Sequence, residues 1–146
     1  MKSAIALLLL GIFFIGCKCT KHCSAKSGLS RAEILAKYTW QVNELWTNTS
    51  GNNVHYLRGV ENTTEYNQDI VRLTFNLDGT GTHTDATGIV HQTTWSFSSD
   101  DETNLDLTIN GITTDHWNLV DITEKHILES AARASVLISA RWEPVQ

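Results

Sequence analysis

The chain is poor in proline and cysteine. It has one proline, Pro144, and three cysteines, all before residue 24. With nine glycines spread over 146 residues, this excludes collagen-like and low-complexity organisation. Basic charge is also scarce: 11 Lys and Arg stand against 16 Asp and Glu, a net charge of -5. No basic footprint is left for nucleic acid, so no such partner is expected. After residue 15 there is no apolar run approaching the roughly 20 residues that span a bilayer. At 41% hydrophobic and 18% charged the chain is not a disordered acidic tail. Its length suits one domain rather than two.

Lys2 gives a short positive start, and residues 4–15 are apolar apart from Gly11. A short apolar run behind a basic start reads as a secretory signal peptide, here residues 1–16. The run ends Phe14-Ile15-Gly16-Cys17, which resembles a bacterial lipobox with Phe14 where Leu is usual. The resemblance implies that Cys17 carries the lipid, palmitate among its acyl chains, and becomes the first mature residue. Acyl chains contribute about 0.8 kcal/mol per buried methylene, and more than one makes the anchor stable. Cys19 and Cys23 then remain as an even pair, either disulfide-bonded in an oxidising envelope or free. His22 lies between them, but three ligands in a tether make a poor zinc cage, so no metal is expected there. Residues 17–29 are small, polar and basic, a tether that lifts the domain off the bilayer. No acidic run follows Cys17, unlike Bacteroidota-type lipoproteins displayed outside the cell. The expected location is therefore the bacterial outer membrane, lipid-anchored, on the periplasmic face.

Ser30 with Glu33 three residues later fits a capping box, predicting a short helix over 31–37. From Tyr38 onward the hydrophobic period changes to two, with turn residues every 8 to 12 positions. Strands are predicted over 39–47, 54–60, 70–77, 80–85, 89–97, 105–109, 112–122, 126–131 and 136–142. A polar loop is predicted over 62–69 and a hairpin turn at Asp78-Gly79. The links are of hairpin length, so parallel sheets are excluded. Eight or nine sequentially adjacent strands hide their edges best by closing on themselves. The predicted fold over 30–146 is all-β: an antiparallel up-and-down barrel of eight or nine strands with a short N-terminal helix.

The run from Leu73 to Thr82, LTFNLDGTGT, followed by Thr94-Trp95-Ser96-Phe97 and Leu105-Asp106-Leu107, resembles the small lipocalin-like domains of bacterial lipoproteins. The likeness covers about residues 35–142. It implies that Trp40 plugs one end of the barrel and that Arg141 packs on it. It also implies a small hydrophobic or amphipathic ligand inside. The alternative is a filled barrel whose outer surface docks to another envelope protein.

Alternation places Trp40, Val42, Val71, Leu73, Phe75, Leu77, Trp95, Phe97, Leu105, Leu107, Ile109, Trp117 and Leu119 inward, with Ile89, His91 and Thr93 on the face of Trp95. Trp40, Leu73, Phe75, His91, Thr93, Trp95, Phe97, Leu107 and Trp117 are the candidate ligand lining, a mostly apolar wall with a few polar groups. His83 and His91 pair across the turn at 86–88 if that loop has three residues, but two surface histidines on a hairpin are ordinary. Asp106, Asp115 and Asp121 are read as outward, and Asp100, Asp101 and Glu102 as a solvated turn. There is no G-x-S-x-G and no cysteine within the barrel. A binding module is expected, with neither enzymatic activity nor a cofactor.

Overall fold

The computed structural model describes residues 28–47, 53–133 and 136–146. The signal segment, Cys17, Cys19, Cys23 and nearly all of the tether lie outside the described residues. Helix α1 (Arg31–Lys37) starts at the expected capping box: Glu33 N donates to Ser30 Oγ at 3.2 Å, and Ser30 N donates to Glu33 Oε2 at 2.7 Å. Extended backbone at Tyr38 ends the helix. Ten strands follow: β1 (Thr39–Thr47), β2 (Asn53–Leu57), β3 (Glu61–Asn62), β4 (Arg72–Phe75), β5 (Thr80–Thr84), β6 (Val90–Phe97), β7 (Asn104–Ile109), β8 (Thr113–Ile122), β9 (Ile127–Arg133) and β10 (Val136–Pro144).

Strands β4 to β10 run as an antiparallel meander, and β10 returns to pair with β1. The ring β1-β4-β5-β6-β7-β8-β9-β10 is a closed eight-stranded barrel. The other two strands are extra. The edge of β1 opposite β10 is shared: residues 39–41 pair with β4 and residues 44–47 pair with β2. The expected eight-stranded antiparallel barrel is therefore present, with β2 and β3 added to it as a side hairpin and β4 returning to β1. The predicted strand over 54–60 stops at Leu57. The predicted loop over 62–69 takes in the end of β3 and the first two residues of a 3₁₀ turn at Gln68–Ile70.

Two bulges reset which side chains face inward. Trp40 and Val42 are buried, and the register against β10 then shifts between Val42 and Glu44. Leu45 is thereby set opposite Ala140 on the inner face, and Glu44 opposite Arg141 on the outer one. In β8 the shift between Leu119 and Asp121 leaves Val120 exposed and brings Ile122 inside.

The end of the barrel beside α1 is closed. Trp40 is fully buried there, and its Nε1 donates to Leu35 O at 2.9 Å, tying the helix across the barrel. Tyr38 meets Trp40 edge-on at 5.5 Å. Arg31 Nη1 donates to Glu102 O in the β6–β7 turn, and Lys37 pairs with Glu124 in the β8–β9 turn. Trp40 thus occupies the plug position. Arg141 does not pack on it: that residue alternates with the buried Ala140 and Trp142, so it lies on the outer face beside Glu143.

Most of the predicted inward set is buried. Leu77 is the clear exception, 67% exposed. Strand β4 ends at Phe75, and Asn76 N donates to Thr80 O around a three-residue loop with Gly79 at φ +82°. Leu77 belongs to that loop. Ile89, 57% exposed, closes the next hairpin through Asp85 N to Ile89 O, at the rim where no strand continues above it. Phe97 and Ile109 are only partly buried.

Gly81 in β5 sits between Phe75 and Thr93. A Cβ there would run into the Thr74 carbonyl oxygen and come within 2.9 Å of Thr93 Oγ1. Overpacking of this kind costs about 1–3 kcal/mol. Gly81→Ala is expected to lower the urea midpoint accordingly. Gly28→Ala, where a Cβ meets nothing within 4 Å, is expected to leave it unchanged.

Candidate functional site in the barrel cavity

The lower half of the barrel is solid. Phe75 meets Trp95 edge-on at 5.6 Å, and Trp95 meets Phe97 the same way at 5.7 Å. Trp95 Nε1 donates to Asn76 O and Thr80 O, both at 3.0 Å. The upper half holds a cavity of about 420 Å³. Small side chains explain it. Ala131 on β9 and Ala140 on β10 occupy inward positions that large residues hold lower down, and Ala86 sits in the β5–β6 turn. The shortness of β4 contributes as well, since four residues cannot wall the upper half.

The gap beside β4 is covered by the segment 63–71, from which Tyr66, Gln68 and Val71 line the cavity. A polar cluster pins this segment. The buried Tyr56 donates from its hydroxyl to Asp69 Oδ1 at 2.7 Å. Arg58 Nε donates to Val42 O at 2.8 Å and Nη1 reaches Asp69 Oδ1 at 3.4 Å. Arg72 Nη1 donates to Asp69 O at 2.7 Å. Burial, with the hydroxyl bond to Asp69 second, pushes the Tyr56 phenol up to about 12.

Of the candidate lining residues, Leu73, Leu107 and Trp117 do face the cavity. Trp40, Phe75 and Trp95 are buried in the filled half instead, with Phe97 partly buried against the same core, and Thr93 is buried between Gly81 and Ile109 without lining the cavity. The cavity also has lining that the sequence reading missed: Leu45 from beyond the β1 bulge, Ile138 and Trp142 from β10, and the acidic pair Asp115 and Glu129. Asp115 is a correction. It stands opposite Leu107 in the β7–β8 register, hence on the inner face rather than outward. Asp106, one residue along the ladder opposite His116, does face out, its Oδ1 2.7 Å from His116 Nδ1.

The three-residue loop at 86–88 is present, with Gly88 at φ +88°. His83 and His91 therefore pair directly, ring centroids 6.1 Å apart. They have different surroundings: His83 lines the cavity, whereas His91 is tied into the hairpin. His91 Nε2 lies 2.7 Å from Asp85 Oδ2, and Asn110 Nδ2 lies 2.8 Å from His91 Nδ1. An imidazole protonated on Nε2 satisfies both bonds. Asp85 Oδ1 also accepts from Thr87 Oγ1 at 2.6 Å and from two backbone amides. These bonds, Thr87 first and then His91, hold the Asp85 carboxyl well below the usual range. The His–Asp pair braces a turn, and its second ring nitrogen is taken by an amide rather than a nucleophile. Among the described residues no group of three His, Cys, Asp or Glu is arranged to hold a metal ion.

The upper cavity is thus an apolar and aromatic space with a few polar side chains, the make-up of a small-molecule site. No protein-family model matches the chain, and no curated protein matches it.

The raised phenol at Tyr56 has a pH consequence. A group whose folded pKa lies above its unfolded value of about 10 contributes stability below that pH and loses it as pH rises through the folded value. Of the three tyrosines, one is expected to ionise near pH 12, in step with release of the 63–71 segment. Tyrosinate absorbance follows it, and Tyr56→Phe should remove that late phase.

Proposed function

We propose that this protein is a membrane-anchored bacterial lipoprotein whose barrel binds a small hydrophobic or amphipathic molecule in the cell envelope. The observation that carries the binding reading is the 420 Å³ cavity in the upper barrel. Small-molecule pockets measure about 300–1,000 Å³, whereas a filled core leaves few voids larger than a water molecule. The cavity favours a carrier or sensor over a filled barrel that serves only as a docking module. It reaches the surface beside Tyr66, which both lines it and is exposed, so a ligand has a way in.

The anchor rests on the chain's first residues: Lys2, the apolar run to Ile15, and Gly16-Cys17. A lipid on Cys17, with residues 18–29 as a tether, would hold α1 and the closed end of the barrel near the membrane attachment. The absence of an acidic run after Cys17 supports the periplasmic face of the outer membrane. Binding is preferred to catalysis because the histidine–carboxylate pair nearest the cavity, His91 with Asp85, is consumed in bracing the hairpin that carries His83.

Native mass spectrometry of the protein released from the membranes of its own host is expected to show a discrete added mass that denaturation removes. Ala131→Phe, which puts a ring into the cavity, should abolish that mass while the fold, followed by circular dichroism, persists. A bare protein mass together with failure of any small amphiphile to quench the tryptophans would remove the carrier reading.

A further inference from the structure

Trp117 on β8 and Trp142 on β10 both line the cavity. They reach it from the two strands that flank β9 and stack with centroids 5.7 Å apart. Both are buried, 4% and 6% exposed, and neither indole Nε1 has a hydrogen-bond partner among the described residues. An indole nitrogen is a donor only, so the two rings cannot satisfy each other. Buried N–H groups are normally paired, and one left without an acceptor forfeits the bond it made to water.

The solid half of the barrel treats the same group differently. There Trp40 Nε1 donates to Leu35 O at 2.9 Å, and Trp95 Nε1 donates to Asn76 O and Thr80 O, both at 3.0 Å. In each case the acceptor is a carbonyl oxygen. The two indoles without one are the two at the cavity. Asp115, Glu129 and His83 also line it, and all three are engaged within the protein.

The wall thus holds two neutral donors in a lining that includes Leu73, Leu107 and Ala140. Such donors call for an acceptor, and an ammonium has none to give. An ionised carboxylate accepts, but these donors bring no positive charge to offset the cost of burying it. A neutral carbonyl oxygen matches them in kind, and its two lone pairs can take one N–H or both. Both nitrogens are covered by protein, and the cavity beside the rings gives them room to turn onto an acceptor.

We infer that the cavity takes an apolar molecule carrying a neutral carbonyl oxygen, a ketone or an ester, and that this oxygen accepts from the indoles of Trp117 and Trp142. This rests on the reading of the cavity as a ligand site and adds the chemical class of what enters it.

The test uses three probes with one carbon skeleton. 4-Phenylbutan-2-one accepts a hydrogen bond, protonated 4-phenylbutan-2-amine only donates, and butylbenzene does neither. Each is titrated at pH 7 into the full chain carrying Cys17→Ser, so that no lipid is attached, with its tryptophans labelled with nitrogen-15. Proton–nitrogen spectra follow the five indole N–H groups, and Trp117→Phe and Trp142→Phe assign the two at the cavity. The ketone is expected to move those two protons downfield of their positions with butylbenzene, which carries the same ring. The signals of Trp40 and Trp95, already bonded, should stay. Each phenylalanine variant should cut the ketone-to-butylbenzene affinity ratio about five-fold, the net worth of one hydrogen bond. The amine should bind more weakly than the ketone. If the ketone binds and both signals stay where butylbenzene puts them, or if the amine binds as tightly as the ketone, the carbonyl inference fails and the ligand site stands. If none of the three binds, the inference fails together with the ligand-site reading. Should the phenylalanine variants not fold, the indole signals that the ketone alone moves downfield on the unsubstituted chain still decide: one or two support the inference, and none overturns it.

Discussion

The pairing of the first strand with the last closes the sheet, and the rest of the architecture depends on it. Trp40 stands opposite Pro144 and Thr47 opposite Ile138, so the ladder runs the length of β1. It joins residues about a hundred positions apart, as the bond from Asn43 Nδ2 to Glu143 Oε1 shows directly. Such a contact returns nothing until a long loop has been closed. Closure leaves β1 with one free edge, and two strands share it. The lower part of that edge goes to β4 and the upper part to β2. A bulge at Asn43 accommodates the change: Arg58 N donates to Asn43 O, and Arg58 Nε holds Val42 O. From this division follow the short β4, the gap above it, and the segment 63–71 that covers the gap.

Two halves of unlike character result. Below, Trp40, Phe75, Trp95 and Leu105 fill the interior, and α1 is bolted across the end by an indole N–H and two long side chains. Above, alanines replace large residues and acids appear among the apolar ones. A solid core of this kind is where mutation is expected to cost stability, since removal of a buried Trp or Phe side chain costs about 3–5 kcal/mol. The upper half is less tightly packed, as the cavity there shows.

The closed barrel and the helix cap were legible in the sequence because each has a local code. Period-two alternation marks Val71, Leu73 and Phe75, and a serine followed three residues later by glutamate marks α1. The side hairpin β2–β3 was not legible as such. Its place is set by which strand reaches the edge of β1 first, a non-local competition that alternation does not record. The bulges at Asn43 and Val120 reverse the inward parity within single strands, so Leu45 and Ile122 could not be assigned by counting from Trp40 or Trp117. Leu77 was misplaced because the Asp-Gly turn takes three residues, which pulls it out of the strand.

The cavity was harder to foresee for a different reason. A search for bulky inward residues finds where a barrel is filled, and so pointed to Trp40, Phe75 and Trp95. A cavity is written instead in what is small. Ala131 and Ala140 carry that signal, and both alternate correctly with large neighbours: Ala131 follows Glu129 and Ile127, and Ala140 precedes Trp142. Asp115 carries the other half. It shares parity with Trp117 and Leu119, so alternation alone sets it inside, and only the habit of sending acids to the surface argued otherwise. Asp115 is only partly buried and is engaged within the protein, so the acid does not stand unpaired in an apolar core. An inner face can thus carry a polar side chain where the interior is incompletely filled, and parity rather than polarity is the better guide to which way that side chain points.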